Sequence, residues 1–146
     1  MGVAGDIYTI SLYVPLGEFV AERVCIILDY SPLYWIQVGY TKEDNTIYFY
    51  AEKRDSEGWT YIPLSGTPKA GATYTYMIEW AYVWGEDPHR WYAKVVGVDG
   101  TYIQADPYVA VDLQAFVEPT TTLIVIDNSH FSNLKGYIED LGTWYY

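Results

Sequence analysis

The residues best suited to chemistry are one amide and two carboxyls, each set in a short aromatic run. The run Leu33–Tyr40 is apolar or aromatic except for one amide, Gln37. Glu52 ends the run Tyr48–Glu52, and Glu118 ends a run that begins at Gln114. A primary amide left without a hydrogen bond inside a buried strand costs about 1–3 kcal/mol. Gln37 is therefore expected to be hydrogen-bonded or used in a site.

An amide and a carboxyl together suit attack on a carbonyl group. The carboxylate activates a water molecule as a general base, and the amide N–H donates to the oxyanion that forms. Two carboxyls across a cleft would instead suit a glycosidase.

Other familiar constellations are missing from the sequence. It contains no nucleophile elbow, metalloprotease helix motif, phosphate-binding glycine loop or paired zinc-ligand spacing. The two histidines, His89 and His130, are predicted to lie in loops. Asp127 and Asn128 fit a solvated turn better than a calcium site, because no calcium-loop signature surrounds them. We therefore expect no metal and no cofactor.

The elements that must position these groups are predicted to be strands. Alternating and β-branched or aromatic runs recur along all 146 residues, and no long helical period competes with them. The expected strands are Ile7–Val14, Arg23–Asp29, Leu33–Tyr40, Thr46–Lys53, Trp59–Pro63, Thr73–Val83, Arg90–Val98, Tyr102–Gln104, Asp112–Glu118, Leu123–Ile126 and part of Leu134–Tyr146. The Asp99-Gly100 pair is the strongest hairpin-turn signal. The prediction is one all-β domain over residues 1–146, folded as an antiparallel two-sheet β-sandwich or jelly roll.

Alternation along a strand also assigns faces. It places each polar candidate on one strand face with an aromatic residue: Trp35 with Gln37, Tyr50 with Glu52, and Phe116 with Glu118. If these faces meet on one sheet, they form an aromatic-walled cleft with an amide and two carboxyls.

The order of several motifs resembles the glutamic peptidases, or eqolisins. The matching segments are Tyr13-Val14-Pro15, Trp35-Ile36-Gln37-Val38-Gly39, Tyr48-Phe49-Tyr50-Ala51-Glu52, Lys69-Ala70-Gly71-Ala72-Thr73-Tyr74 and Gln114-Ala115-Phe116-Val117-Glu118. The resemblance implies a concanavalin-like sandwich and an acid endopeptidase acting on polypeptides. It further implies that Glu118 is the general base and later acid, that Gln37 is the oxyanion donor, and that Glu52 orients water or tunes Glu118. Trp35, Tyr50 and Phe116 would support this site.

The chain also departs from that family. Cys25 stands where an aromatic residue is expected, Gln114 replaces a glutamate, and the family's opening strand would precede Met1. Plant neprosin-type peptidases use a pair of glutamates, which Gln37 does not match.

The composition of the chain restricts the classes of binding partner that it can have. A net charge of −11 with only eight Lys and Arg residues argues against nucleic acid and anionic membranes. No apolar run is long enough for a membrane helix. The single cysteine, Cys25, is expected to be a buried, inert thiol. The acidic composition fits an extracellular or cell-surface protein, and it equally fits any soluble protein that its charge keeps monodisperse. No signal peptide is recognised at the start of the chain.

Two other functions remain open. A lectin-like module could stack sugar rings on tryptophans such as Trp35, Trp59, Trp80, Trp84 and Trp91. A structural or filament subunit could form homo-oligomers through an open sheet edge that a neighbouring chain completes.

Each candidate residue also has a purely structural interpretation. Gln37 could be a core amide bonded to adjacent strands, Glu52 could pair with Lys53 or Arg54, and Glu118 could end an exposed strand.

Overall fold

The described part of the chain consists of strands and connecting loops, without a helix. A computed structural model describes residues 2–11, 13–44, 46–81, 90–106, 109–119, 131–138 and 143–145. The strands are β1 (Gly2–Tyr8), β2 (Phe19–Tyr30), β3 (Leu33–Glu43), β4 (Thr46–Asp55), β5 (Gly58–Pro63), β6 (Thr73–Ala81), β7 (Arg90–Val95), β8 (Asp99–Gln104), β9 (Asp112–Pro119), β10 (Phe131–Ile138) and β11 (Thr143–Tyr145).

These strands form two antiparallel sheets that pack face to face. One sheet has six strands in the order β11-β10-β1-β6-β7-β8, and the other has five in the order β5-β4-β3-β2-β9. The core lies between them, and this arrangement confirms the predicted all-β sandwich. In the five-stranded sheet, β9 is far from β2 in sequence yet lies directly beside it.

The inner faces of both sheets carry the residues that alternation predicts. Ile36 and Val38 of β3 are fully buried, as are Tyr76 and Ile78 of β6 across the interface. The alternate residues of β3, beginning with Trp35, point to the outer face of the five-stranded sheet. The face assignment made from the sequence is therefore confirmed for this strand.

Some boundaries differ from the prediction. The first strand ends at Tyr8 rather than continuing to Val14. The β7–β8 hairpin exists, but its turn is centred on Gly97, whose φ of 75° is readily adopted only by glycine. Asp99 instead begins β8, where its carboxylate accepts a hydrogen bond from the Ser65 amide at 2.6 Å. The predicted strand Leu123–Ile126 lies outside the described residues.

A buried ion pair links the two sheets at one end of the sandwich. Lys53 Nζ donates to Asp55 Oδ2 at 2.6 Å and to the Gln104 carbonyl at 2.8 Å. Lys53 and Asp55 belong to β4, whereas Gln104 ends β8 in the opposite sheet. Asp55 also accepts a hydrogen bond from the Asp106 amide at 3.4 Å. This pair therefore ties the end of β4 to the six-stranded sheet.

Candidate functional site

The candidate residues lie on the outer face of the five-stranded sheet. Strand pairing places Gln37 of β3 between Cys25 of β2 and Glu52 of β4, and Glu52 is followed in the same row by Tyr61 of β5. Gln37 and Glu52 are consequently direct cross-strand neighbours, although 15 residues separate them in sequence.

A hydrogen-bonded network of three side chains occupies the centre of this face. Gln37 Nε2 donates to Glu52 Oε1, and Trp59 Nε1 donates to Glu52 Oε2 at 3.1 Å. Gln37 is 3% exposed, so the structure satisfies its buried amide as physical chemistry requires. The suggested pairing of Glu52 with Lys53 is wrong, because Lys53 bonds Asp55 on the other side of β4.

The row next to this network contains an ion pair that the sequence analysis missed. Arg23 of β2 donates through Nη2 to Glu118 Oε2. The Arg23 side chain is 10% exposed and the Glu118 side chain is 52% exposed. Glu118 is thus an exposed group near the end of β9, as one alternative expected, but it is held by a guanidinium. The signal that could have found this pair was a basic residue on the outward-facing positions of a largely apolar strand.

The structure does not bring Gln37 and Glu118 together directly. On the shared neighbour β2, Gln37 is opposite Cys25 and Glu118 is opposite Ala21. Four residues of strand correspond to about 13 Å, and β2 itself lies between the two residues. Glu52, rather than Glu118, is the carboxyl that meets the Gln37 amide.

Burial and charge set the protonation of these groups. Burial is the largest influence on Glu52, and it raises the pKa of this carboxyl above its usual value. The hydrogen bond from Trp59 and the charge of Arg23 act to lower this pKa, whereas the charge of Glu118 acts to raise it. Burial acts to lower the pKa of Arg23, but Tyr50 and Glu118 outweigh it, so the pKa of Arg23 is raised. Burial raises the pKa of Tyr50, which also hydrogen-bonds Arg23. Arg23 therefore stays cationic at the centre of the face.

Aromatic side chains wall a groove over this network. A cavity of about 380 Å³ is lined on the β4 and β5 side by Tyr48, Tyr50, Trp59 and Tyr61. The rings of Tyr50 and Tyr61 stack with centroids 5.5 Å apart. Trp35 also lines the groove, on the same sheet face as Tyr50. Phe116 of β9 pairs through its backbone with Arg23 of β2. The Phe116 side chain lies outside the described part of the structure.

Only part of the predicted aromatic set reaches this groove. Trp35 and Trp59 line it. Trp91 is 1% exposed and packs edge to face against Trp80 in the core, so the expectation that Trp91 stacks on a ligand is wrong. Trp84, His89, Asp127, Asn128 and His130 lie outside the described residues.

Cys25 lies on the floor of the same face. It is a free, buried cysteine, as predicted, and burial is the main cause that raises its pKa to about 12. The thiol is therefore protonated at any physiological pH and is a poor nucleophile.

Within the ranges that the structure covers, no group of three or more His, Cys, Asp or Glu side chains is arranged to hold a metal ion. The same ranges contain no helix with the length and hydrophobicity needed to cross a membrane.

No protein-family model matches the chain, and no curated protein matches it significantly.

Proposed function

We propose that the protein is a glutamic-type acid endopeptidase whose reacting pair is Glu52 and Gln37. The observation that carries this proposal is the direct contact between a carboxyl and a primary amide at the base of an open, aromatic-walled groove. The motif order that resembles the glutamic peptidases supports the same reaction. An extracellular location, expected from the acidic composition, belongs to this proposal.

The reaction uses a water molecule placed between Glu52 and the peptide carbonyl. The ionised Glu52 takes a proton from water as the oxygen attacks the carbonyl carbon, and the carbonyl oxygen becomes an oxyanion. Gln37 has two amide N–H bonds, so one can bond Glu52 while the other donates to the oxyanion. Glu52 then gives the proton to the leaving amine, the C–N bond breaks, and the carboxyl product and free enzyme remain.

Glu52 takes the role that the family resemblance assigned to Glu118. Its pKa is raised by burial, which makes it a stronger base when ionised and a competent acid when protonated. Glu118 is paired with Arg23 and is more exposed. In this proposal the Arg23–Glu118 pair lines the groove, fixes the positive charge beside the site, and does not exchange protons with the substrate.

The test is hydrolysis of a denatured protein by wild-type protein and three variants, measured from acidic to neutral pH because the raised pKa of Glu52 makes its base form scarce at the acidic end. Glu52→Gln keeps the shape of the side chain and should lower kcat/KM by about 10²–10⁴-fold, the typical contribution of a general base. Gln37→Ala should lower it by about 10²–10³-fold, as expected for loss of an oxyanion donor. Glu118→Gln should have a clearly smaller effect than Glu52→Gln.

Glu79→Gln is the matched control. Glu79 is also an outward-facing strand glutamate paired with a cation, Lys94, but it lies on the six-stranded sheet. Its variant should hydrolyse the substrate like wild type. Activity that survives both Glu52→Gln and Gln37→Ala would refute the proposal, and a larger loss with Glu118→Gln would return the base role to Glu118.

The second candidate function is carbohydrate binding without catalysis. Trp59 is 63% exposed and its ring lies beside Tyr61, with centroids 6.2 Å apart. An exposed indole next to carboxyl and amide groups can stack on a sugar ring and bond its hydroxyls. Binding to a glycan array that is lost in Trp59→Ala, together with no hydrolysis at acidic pH, would favour this function over the first.

A further inference from the structure

The groove continues past the reacting pair to the opposite edge of the sheet. A second cavity, of about 680 Å³, shares Arg23, Trp35, Gln37 and Glu118 with the first. The first cavity extends over β2 to β5, and the second extends over β2 and β3 toward β9, so the two overlap around Gln37. A chain bound across the strands would therefore have neighbouring residues on both sides of Gln37.

Six of the ten residues that line the second cavity are apolar or aromatic: Cys25, Ile27, Tyr30, Leu33, Trp35 and Val117. The other four, Arg23, Gln37, Gln114 and Glu118, are polar or charged. Cys25 and Ile27 are 1% and 4% exposed, whereas Tyr30 and Leu33 are 58% and 44% exposed, and the Tyr30 hydroxyl donates to Asp112. Exposed apolar groups around a concave site are typical of a surface that binds an apolar group of a ligand.

We propose that this second cavity is the specificity pocket of the site, that it receives a large apolar side chain flanking the cleaved bond of a polypeptide substrate, and that Cys25 sets its depth. This inference rests on the proposed endopeptidase function and names the preference of the same site.

Cys25 is the residue that decides the size of the pocket because of its position. It stands between Gln37 on β3 and Gln114 on β9 in one row of the sheet, facing the groove. Its thiol is small, and its Sγ lies 3.5 Å from the Ile26 carbonyl. Because position 25 lies on the outer face in one row with Gln37 and Gln114 and lines the cavity, a longer side chain there would extend into the cavity. The pocket next to Gln37 would then become shallow.

The experiment compares cleavage preferences of wild type, Cys25→Ala and Cys25→Phe on a peptide library at acidic pH. The peptides vary between Phe or Leu and Gly or Ala at each position that flanks the cleaved bond, and products are read by mass spectrometry. Wild type should favour the large apolar residues at one flanking position. Cys25→Phe should lower the ratio of kcat/KM for large to small residues at that position by about 10-fold or more, the scale of discrimination by pocket size. Cys25→Ala should keep or increase the ratio.

A rim variant tests the pocket without altering the sheet interior. Leu33→Ala should also lower the ratio, and Leu16→Ala is its control because Leu16 is 85% exposed and lines neither cavity. If wild type cleaves the library but neither Cys25→Phe nor Leu33→Ala changes the ratio, the pocket assignment is overturned and the proposed function stands. If wild type cleaves no peptide, the proposed function itself fails and the pocket assignment fails with it.

Discussion

At the scale of single residues, the surroundings of one carboxyl decide what the site can do. Glu52 accepts hydrogen bonds from Gln37 and from Trp59, which satisfy one oxygen each. Burial favours its neutral form, and the indole N–H favours its ionised form. The balance of these opposing effects sets the pH at which Glu52 gains its charge.

Removing the indole donor should shift this balance in a known direction. Trp59→Phe keeps an aromatic ring but loses the N–H that bonds Glu52 Oε2 at 3.1 Å. Without that donor the carboxylate is less stabilised, so the pKa of Glu52 should rise further. The shift can be measured by NMR titration of glutamate side-chain carbonyl groups, with Glu52→Gln used to assign the signal.

The same change should appear in catalysis if Glu52 is the base. The acid limb of kcat/KM, which follows ionisation of the free enzyme, should move to higher pH in Trp59→Phe. Tyr102→Phe is a suitable control, since Tyr102 is 51% exposed and lies on the other sheet. An unchanged or lowered pKa in Trp59→Phe would show that the indole does not stabilise the carboxylate.

At the scale of elements, the pairing of β2 with β3 determines the geometry of the groove floor. Arg23 of β2 is directly opposite Gly39 of β3. A Cβ atom on Gly39 would lie 2.0 Å from the Glu22 carbonyl oxygen and 2.8 Å from Arg23 Cβ. Glycine is required here because the two backbones approach closely, not because of a left-handed conformation.

Gly39→Ala is therefore expected to push β2 and β3 apart. Overpacking typically costs about 1–3 kcal/mol, and the free energy of unfolding should fall here by about 3 kcal/mol or more. Gly136→Ala is the comparison, since the atom that its added Cβ would meet is Leu113 Cδ1 at 2.7 Å, the end of a flexible side chain that can move. Urea unfolding of both variants gives the two free energies, and an equal or larger loss for Gly136→Ala would contradict this explanation.

At the scale of the whole molecule, the sandwich is held by its core and by Lys53 of β4, whose ammonium group pairs with the buried Asp55 and also bonds the Gln104 carbonyl of the opposite sheet. The Asp55 side chain is fully buried and that of Lys53 is 11% exposed. The lysine also bonds Glu57 at 3.3 Å, but the Glu57 side chain is 79% exposed. The Lys53 ammonium group thus bonds two carboxylates, the buried one of Asp55 and the exposed one of Glu57.

Asp55→Asn should destabilise the fold far more than Glu57→Gln. Removing the charge of Asp55 takes the buried counter-ion from the Lys53 ammonium and leaves it the exposed Glu57 carboxylate at 3.3 Å. Breaking a buried ion pair in this way costs about 3–5 kcal/mol. An exposed pair such as Lys53–Glu57 contributes about 0–1 kcal/mol.

Denaturant unfolding of the two single variants measures this difference. The double variant Lys53→Met with Asp55→Leu serves as a second control, because replacing both partners with apolar groups should restore much of the stability lost in Asp55→Asn. Equal stability of the two single variants would show that the buried pair does not hold the sheets together.

The sequence alone determined most of the strands and which side chains of a strand share a face. Residue period two is a local property, so it places Gln37 on the opposite face of its strand from Ile36 and Val38, whatever the order of the strands. The burial of Cys25 follows from its apolar neighbours in the same way. Local sequence does not decide between the two glycines, because either could start a hairpin turn. In the structure the turn lies at Gly97 rather than at Asp99-Gly100.

Only the tertiary structure decided which of these residues meet. Contact on a sheet depends on strand order and register, which are set by pairing over long separations such as the 95 residues between Arg23 and Glu118. Gln37 therefore meets Glu52 across the β3–β4 hairpin, while Glu118 on β9 pairs with Arg23, a residue that lies in none of the catalytic motifs. The amide and the carboxyls were visible in the sequence, whereas their pairing is a property of the folded sheet.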